Sequence, residues 1–154
     1  MNTIKYDKDW FDRDIKSLVK QLKPLQFDII VGVNRGGCLP AVVLSHALKI
    51  PVTMVDYSTR DGANIYPKSL YRYFEDLSEE FTDILIVDDL VDSGKSIKEI
   101  LTPARLFHCV SVATLLHNTD VELPVDHYCG TMFSRKENNR YFDFWWEEYG
   151  ISNV

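Results

Sequence analysis

Asp88 and Asp89 are adjacent carboxylates, and Asp92, Ser93, Gly94, Lys95 and Ser96 follow close behind. Paired acids offer oxygen acceptors to sugar hydroxyls or to a hard divalent cation. A short polar turn ahead of a helical segment offers hydroxyls, unsatisfied N–H groups and the positive end of a dipole to a phosphate. Directly before the acids run Ile84, Leu85, Ile86 and Val87. Four consecutive apolar residues suit a strand buried on both faces of a parallel sheet, with the acids standing where that strand ends. Ligands of open α/β sheets bind outside the carboxyl ends of the strands. The segment therefore places acids beside a phosphate cradle.

A second such turn lies upstream. Val31-Gly32-Val33 leads into Asn34-Arg35-Gly36-Gly37, again a strand entering a Gly-rich turn before a helix. Backbone N–H groups can approach an anion closely there, and Arg35 adds a planar, permanently charged donor. The spacing is not Gly-x-Gly-x-x-Gly, which sets a dinucleotide fingerprint aside. Gly94-Lys95-Ser96 ends like a nucleotide-triphosphate loop, but Asp89 occupies the position where that motif needs glycine. Taken singly, the acids read as a solvated turn and Arg35 as a surface residue of a tight connection. Together, two strand-to-helix turns carrying complementary groups favour a binding site.

Elements to hold these turns are legible at coarse grain. Phe11, Ile15, Leu18, Val19 and Leu22 follow helical spacing, ended near Pro24. Strands are expected at 27–33, 52–57, 84–87, 109–116 and 125–132, with helices over 39–48 and from about Ser96. Ser96 and Glu99 match a capping box. Residues 58–82 contain Gly62 and Pro67, show no clean period and predict an irregular functional segment. Strands alternating with helices imply a mainly parallel α/β sheet.

Composition sets outer bounds. The 154 residues suit one domain, and 45% hydrophobic with 26% charged content is ordinary for a globular protein. A net charge of −6 argues against a general nucleic-acid surface. No apolar stretch would span a bilayer, and the N-terminus is too polar for a signal peptide. Cys38, Cys109 and Cys129 are odd in number and widely spaced, which predicts free thiols in a reducing, cytoplasmic setting. The four histidines form no helical metal pair, so no structural metal is expected.

The run from Ile84 to Ser96 resembles the phosphoribosyl-pyrophosphate (PRPP) motif of type I phosphoribosyltransferases: an apolar strand, two acids, two apolar residues, then Asp-(Ser/Thr)-Gly-x-(Ser/Thr). Every motif position is filled. The chain is most similar to the small bacterial xanthine-guanine branch, through its length, its Arg-Gly-Gly loop, its Asp-Asp-Leu-Val-Asp core and its aromatic-acidic tail. The match is best over 27–57 and 84–117, and loose at the N-terminus and over 58–82.

That resemblance implies a single phosphoribosyltransferase-like domain over 1–154, a parallel sheet flanked by helices. A flexible lid would span about 58–82, with Lys68 and Arg72 as its cations, and a base-site segment about 133–150. Asp88, Asp89, Leu90, Val91, Asp92, Ser93, Gly94, Lys95 and Ser96 would bind PRPP, the last four around its 5′-phosphate. Asp88 and Asp89 would hold the ribose hydroxyls, with Asp89 nearest Mg²⁺. Asn34, Arg35, Gly36 and Gly37 would bind pyrophosphate, in a loop whose peptide bond before the Arg-Gly pair is often cis. Asp92 would accept a proton from the base, with His117, Tyr141 and Phe142 as its other contacts and Glu147 a weaker one. The implied protein is a cytoplasmic homo-dimer or tetramer using PRPP, a nucleobase and Mg²⁺, with no nucleic-acid or membrane partner. In that branch a lysine reads the purine 6-oxo group, and His117 stands in its place. Adenine or a pyrimidine therefore stays open as the base, as does a regulator that senses PRPP.

Overall fold

Residue alternation along the strands decides which helix covers which face. In the computed structural model, residues 2–57 and 67–149 are described. The strands β1 (Thr3–Tyr6), β2 (Ile29–Asn34), β3 (Val52–Asp56), β4 (Asp83–Val91), β5 (Cys109–Asn118), β6 (Asp126–Phe133) and β7 (Tyr141–Phe144) alternate with four helices. These are α1 (Lys8–Leu22), α2 (Cys38–Leu48), α3 (Pro67–Ser78) and α4 (Lys95–Ala104), and a 3₁₀ turn, Trp145–Tyr149, follows β7. Five strands form an all-parallel sheet in the order β3-β2-β4-β5-β6.

Ile29, Val31, Val33, Ile84 and Ile86 face one way, into a core shared with Leu70 and Phe74 of α3 and Ile97, Ile100 and Leu101 of α4. Ile30, Leu85 and Val87 face the other way, against Phe11, Ile15 and Leu18 of α1 and Ala41 and Leu44 of α2. Both faces are covered, which is why these strands are continuous apolar runs. The β2-α2-β3 crossover extends the sheet in one direction and β4-α4-β5 in the other, on opposite faces. The topological switch point therefore falls between β2 and β4, where ligands of such sheets bind.

β1 and β7 form a separate parallel pair, Thr3↔Tyr141 to Tyr6↔Phe144, that the sequence did not announce. It is anchored by a buried polar knot. The Tyr6 hydroxyl donates to Asp14 Oδ2 at 2.6 Å, and Thr131 Oγ1 donates to Asp14 Oδ1 at 2.7 Å. Trp10 Nε1 donates to Thr131 Oγ1 at 3.0 Å, so α1, β1 and β6 share one network. Burial raises the pKa of Asp14, opposed by the Tyr6 and Thr131 hydrogen bonds.

Three expectations need correction. Residues 67–78 form a helix instead of an irregular segment: Leu70, Phe74 and Leu77 repeat at helical spacing and pack into the core. Pro67 is compatible with its first turn, and the interleaved Tyr71 and Tyr73 obscured the period. Residues 58–66 of the expected lid lie outside the described residues, as does the Lys68 side chain; Arg72 is exposed on α3. The Ser96–Glu99 capping box is absent because α4 begins a residue earlier, with Gly94 at its N-cap in the left-handed region (φ +78°) and no side-chain cap. Strand β4 also runs on through Asp88 and Asp89 to Val91, pairing Asp88↔Thr114 and Val91↔His117.

Since Phe74 is fully buried and Tyr71 is 42% exposed on the same helix, Phe74→Ala should lower stability by about 3–5 kcal/mol. Tyr71→Ala should change it by no more than ~0.5 kcal/mol. Denaturant midpoints of the two variants would check this; equal effects would mean that α3 is not docked as described.

Candidate active site

One cavity of about 200 Å³ opens at the switch point. Val33, Asn34, Arg35 and Gly36 line it from the end of β2, and Asp88 through Ile97 from β4 and the start of α4. Tyr57 and Glu147 contribute from the end of β3 and the terminal 3₁₀ turn. The two turns and the paired acids of the sequence thus share a single space.

The β2 loop turns sharply. The Asn34–Arg35 peptide bond is cis, and Asn34 reaches across to Asp56 at the end of β3 through its side-chain amide. The loop lies hard against the acids: a Cβ on Gly36 would come within 2.1 Å of Asp89 Oδ2. Asp89 is only 7% exposed, so this carboxylate is an inner wall of the cavity and not the solvated strand-end acid that its position suggests. Asp88 Oδ1 accepts the Asp89 N–H at 2.8 Å. Gly37 departs from expectation: it is buried at the N-cap of α2, and its N–H donates to the Val33 carbonyl at 2.8 Å. That donor is spent inside the loop and is not offered to an anion.

At the other turn, Ser93 Oγ accepts the Lys95 N–H at 3.3 Å. Gly94, buried at the head of α4, has no room for a side chain because Val121 Cγ1 stands 2.6 Å from where its Cβ would be. A ten-residue helix therefore points its N-terminus into the cavity.

Asp92 lines the cavity and is gripped from outside it by Arg135, which the sequence reading missed. Arg135 Nε donates to Asp92 Oδ1 at 2.8 Å and Nη2 donates to Oδ2 at 3.0 Å. Arg135 Nη1 donates to the Arg140 carbonyl. The Arg135 guanidinium lies 5.0 Å from the Phe133 ring and 5.7 Å from those of Tyr141 and Phe142. Its segment is held by the strand next door. Asn118 Oδ1 accepts the Arg135 N–H at 3.2 Å, Asn118 Nδ2 donates to the Asp92 carbonyl at 2.9 Å, and Asp120 accepts from Ser134 Oγ and the Lys136 N–H. Arg135 lies in the segment 133–150 that the resemblance assigned to the base site, but within it only a Ser-Arg-Lys cluster immediately after a strand pointed to this residue.

Of the remaining expected base contacts, Glu147 lines the cavity, whereas His117, Tyr141 and Phe142 stand apart from its lining. Tyr141 is 63% exposed on β7, and Phe142 packs on Phe133 and Trp10. His117 turns toward His127, ring centroids 4.1 Å apart. Its Nδ1 is buried without a hydrogen-bond partner among the described residues. Burial lowers its pKa, opposed by a hydrogen bond to the Val121 main chain. His127, 2.9 Å from Thr114 Oγ1, is lowered to about 4 by burial and by the neighbouring His117. The three cysteines are free, and no group of metal-ligating side chains large enough to hold an ion by itself occurs among the described residues. No described helix is long and apolar enough to cross a membrane.

The parallel sheet brings the paired acids and both turns to one cavity at its switch point. The phosphoribosyl transferase domain family matches residues 11–148, and the chain belongs to it. It is 36% identical over 85 residues to the xanthine-guanine phosphoribosyltransferase of Cereibacter sphaeroides, covering 54% of this chain and 51% of that one. It is 32% identical over 111 residues to the enzyme of the same name from Gluconobacter oxydans, covering 66% and 64%. The chain thus spans between half and two thirds of the length of these curated relatives. Its fold is similar to a purine phosphoribosyltransferase from Pyrococcus horikoshii, with a TM-score of 0.72, 24% identity and coverage of 98% and 97%.

The His127 environment predicts a pH effect on stability. Its folded pKa lies below the ordinary value of 6.5, so between pH 6.5 and about 4 the unfolded chain binds a proton that the folded protein does not. Stability should fall by roughly 1–3 kcal/mol as pH drops through that window. His127→Gln, which keeps a partner for Thr114, should flatten the slope. Thermal unfolding midpoints across pH would show it; an unchanged slope in the variant would exclude His127 as the source.

Proposed function

We propose that this protein transfers the ribosyl 5-phosphate group of PRPP to a ring nitrogen of a 6-oxopurine, releasing pyrophosphate. The meeting of both anion-ready turns with Asp88, Asp89 and Asp92 in one cavity carries this reading. Membership of the family supports the transfer, and relatives named for xanthine and guanine support the base.

The chemical barrier is departure of pyrophosphate, with positive charge growing at the anomeric carbon. The protein lowers it by positioning the partners, stabilising the leaving group and excluding water. Ser93 to Ser96 and the N-terminus of α4 would hold the 5′-phosphate. Arg35 and the Gly36 main chain would hold pyrophosphate, and Asp88 and Asp89 the ribose hydroxyls. Asp92 would accept the proton from the incoming base. The chemistry of the donor set fits Mg²⁺: Asp88 and Asp89 both line the cavity with hard carboxylate oxygens, and Asp89 is seated against the Gly36 loop. Bound there with PRPP, the ion would neutralise charge on the pyrophosphate oxygens.

Incubation with PRPP, Mg²⁺ and guanine, xanthine, hypoxanthine, adenine or orotate, with pyrophosphate release as the readout, tests the reading. Turnover is expected with 6-oxopurines; none with any base, or a preference for adenine or orotate, would overturn it. In the same assay, Gly36→Ala should reduce kcat/KM for PRPP at least tenfold, about 1.4 kcal/mol. The added methyl must displace either the pyrophosphate loop or Asp89. Unchanged turnover would mean that this contact plays no part in PRPP use.

A further inference from the structure

A donor for a base oxo group must come from somewhere, and His117 supplies it poorly. Its Nδ1 is sealed without a partner among the described residues, and its ring faces His127. Neither His117 nor Arg135 lines the cavity, but Arg135 is bonded to a side chain that does. Its side chain is 16% exposed and clamps Asp92, the cavity carboxylate assigned the base proton. Its guanidinium also lies 5.0 Å from the Phe133 ring and 5.7 Å from those of Tyr141 and Phe142.

We propose that Arg135 is the specificity-determining residue for the base, presenting hydrogen-bond donors to an oxo group while its fork fixes Asp92 as an acceptor. The inference rests on the functional reading above. A guanidinium carries five N–H hydrogens. Two go to Asp92 and one to the Arg140 carbonyl, leaving two for a ligand. The fork takes two of about four lone-pair positions on the Asp92 carboxylate, so Asp92 still accepts from a ring N–H. A base whose edge offers an oxo acceptor beside an N–H donor satisfies both groups. Adenine, with an amino donor in place of the oxo group, sets donor against donor, and a site built to hydrogen-bond one group discriminates strongly against its opposite. Arginine also keeps its charge at every working pH, whereas a histidine in the same role would change with pH near neutrality.

Steady-state kinetics with hypoxanthine, guanine and adenine would be measured for the unsubstituted protein, Arg135→Ala and Arg135→Lys, each at saturating PRPP and with KM for PRPP as an internal control. Arg135→Ala should lower the hypoxanthine-to-adenine ratio of kcat/KM by 10- to 100-fold, with KM for PRPP within about twofold of its starting value. Arg135→Lys, which keeps a cationic donor, should retain part of the ratio. An equal loss with all bases would reduce Arg135 to a positioning residue for Asp92 and overturn the proposal. A gain in base affinity in Arg135→Ala would make it a blocking residue and overturn it as well. Failure of the unsubstituted protein to use any base would overturn the functional reading itself, whereas normal 6-oxopurine turnover with a ratio indifferent to Arg135 would overturn this inference alone.

Discussion

The parallel pairing of β2 with β4, Ile29↔Ile84 to Gly32↔Val87, is the constraint from which the rest follows. Because the chain winds outward from these two strands in opposite directions, their carboxyl ends open into the one gap that no crossover covers. The Arg35 loop leaves from one lip and the acids occupy the other. Gly36 and Asp89 are in contact because the strands that carry them are hydrogen-bonded neighbours. A substituent as small as a methyl group is excluded there, so the Arg35 loop and Asp89 behave as one surface.

Much of this was legible in the residues. Ile84 to Val87 had to be buried on both faces, and that alone required helices above and below. The turns at Arg35 and Ser93 carried their chemistry in residue types that serve few other purposes together. Asp89 shows where one-dimensional reasoning stops. Its position after an apolar run suggested exposure, yet a neighbouring strand's loop closes over it, and nothing local in the sequence encodes that closure.

The missed elements share a physical cause. Tyr71 and Tyr73 blurred the apolar period of α3, so a docked helix read as irregular. β1 and β7 are short, and each depends on the other for its hydrogen bonds. Arg135 owes its place to Asn118 and Asp120, side chains at the end of a different strand. Contacts of this kind, distant in sequence and built from single polar side chains, leave no periodic trace. Residues 133–149 hold aromatic rings that a linear reading can assign equally well to core or to platform. The structure divides them: Phe144 is buried against Tyr6, Phe142 packs on Trp10, and Tyr141 is exposed beside Arg135.

The β1–β7 pair gives the molecule an unusual temporal property. Synthesis proceeds from the amino end, so Tyr6 and Trp10 leave the ribosome long before Phe142, Phe144 and Trp146 exist to cover them. The five-stranded sheet can assemble meanwhile, since its strands and helices are complete by Phe133. The wall beside Arg135 closes only when the last strand arrives, and pairings so distant in sequence are slow to form. A nascent chain would thus carry both cavity turns and the five-stranded sheet before the β1–β7 pair forms, with an aromatic seam uncovered in the interval.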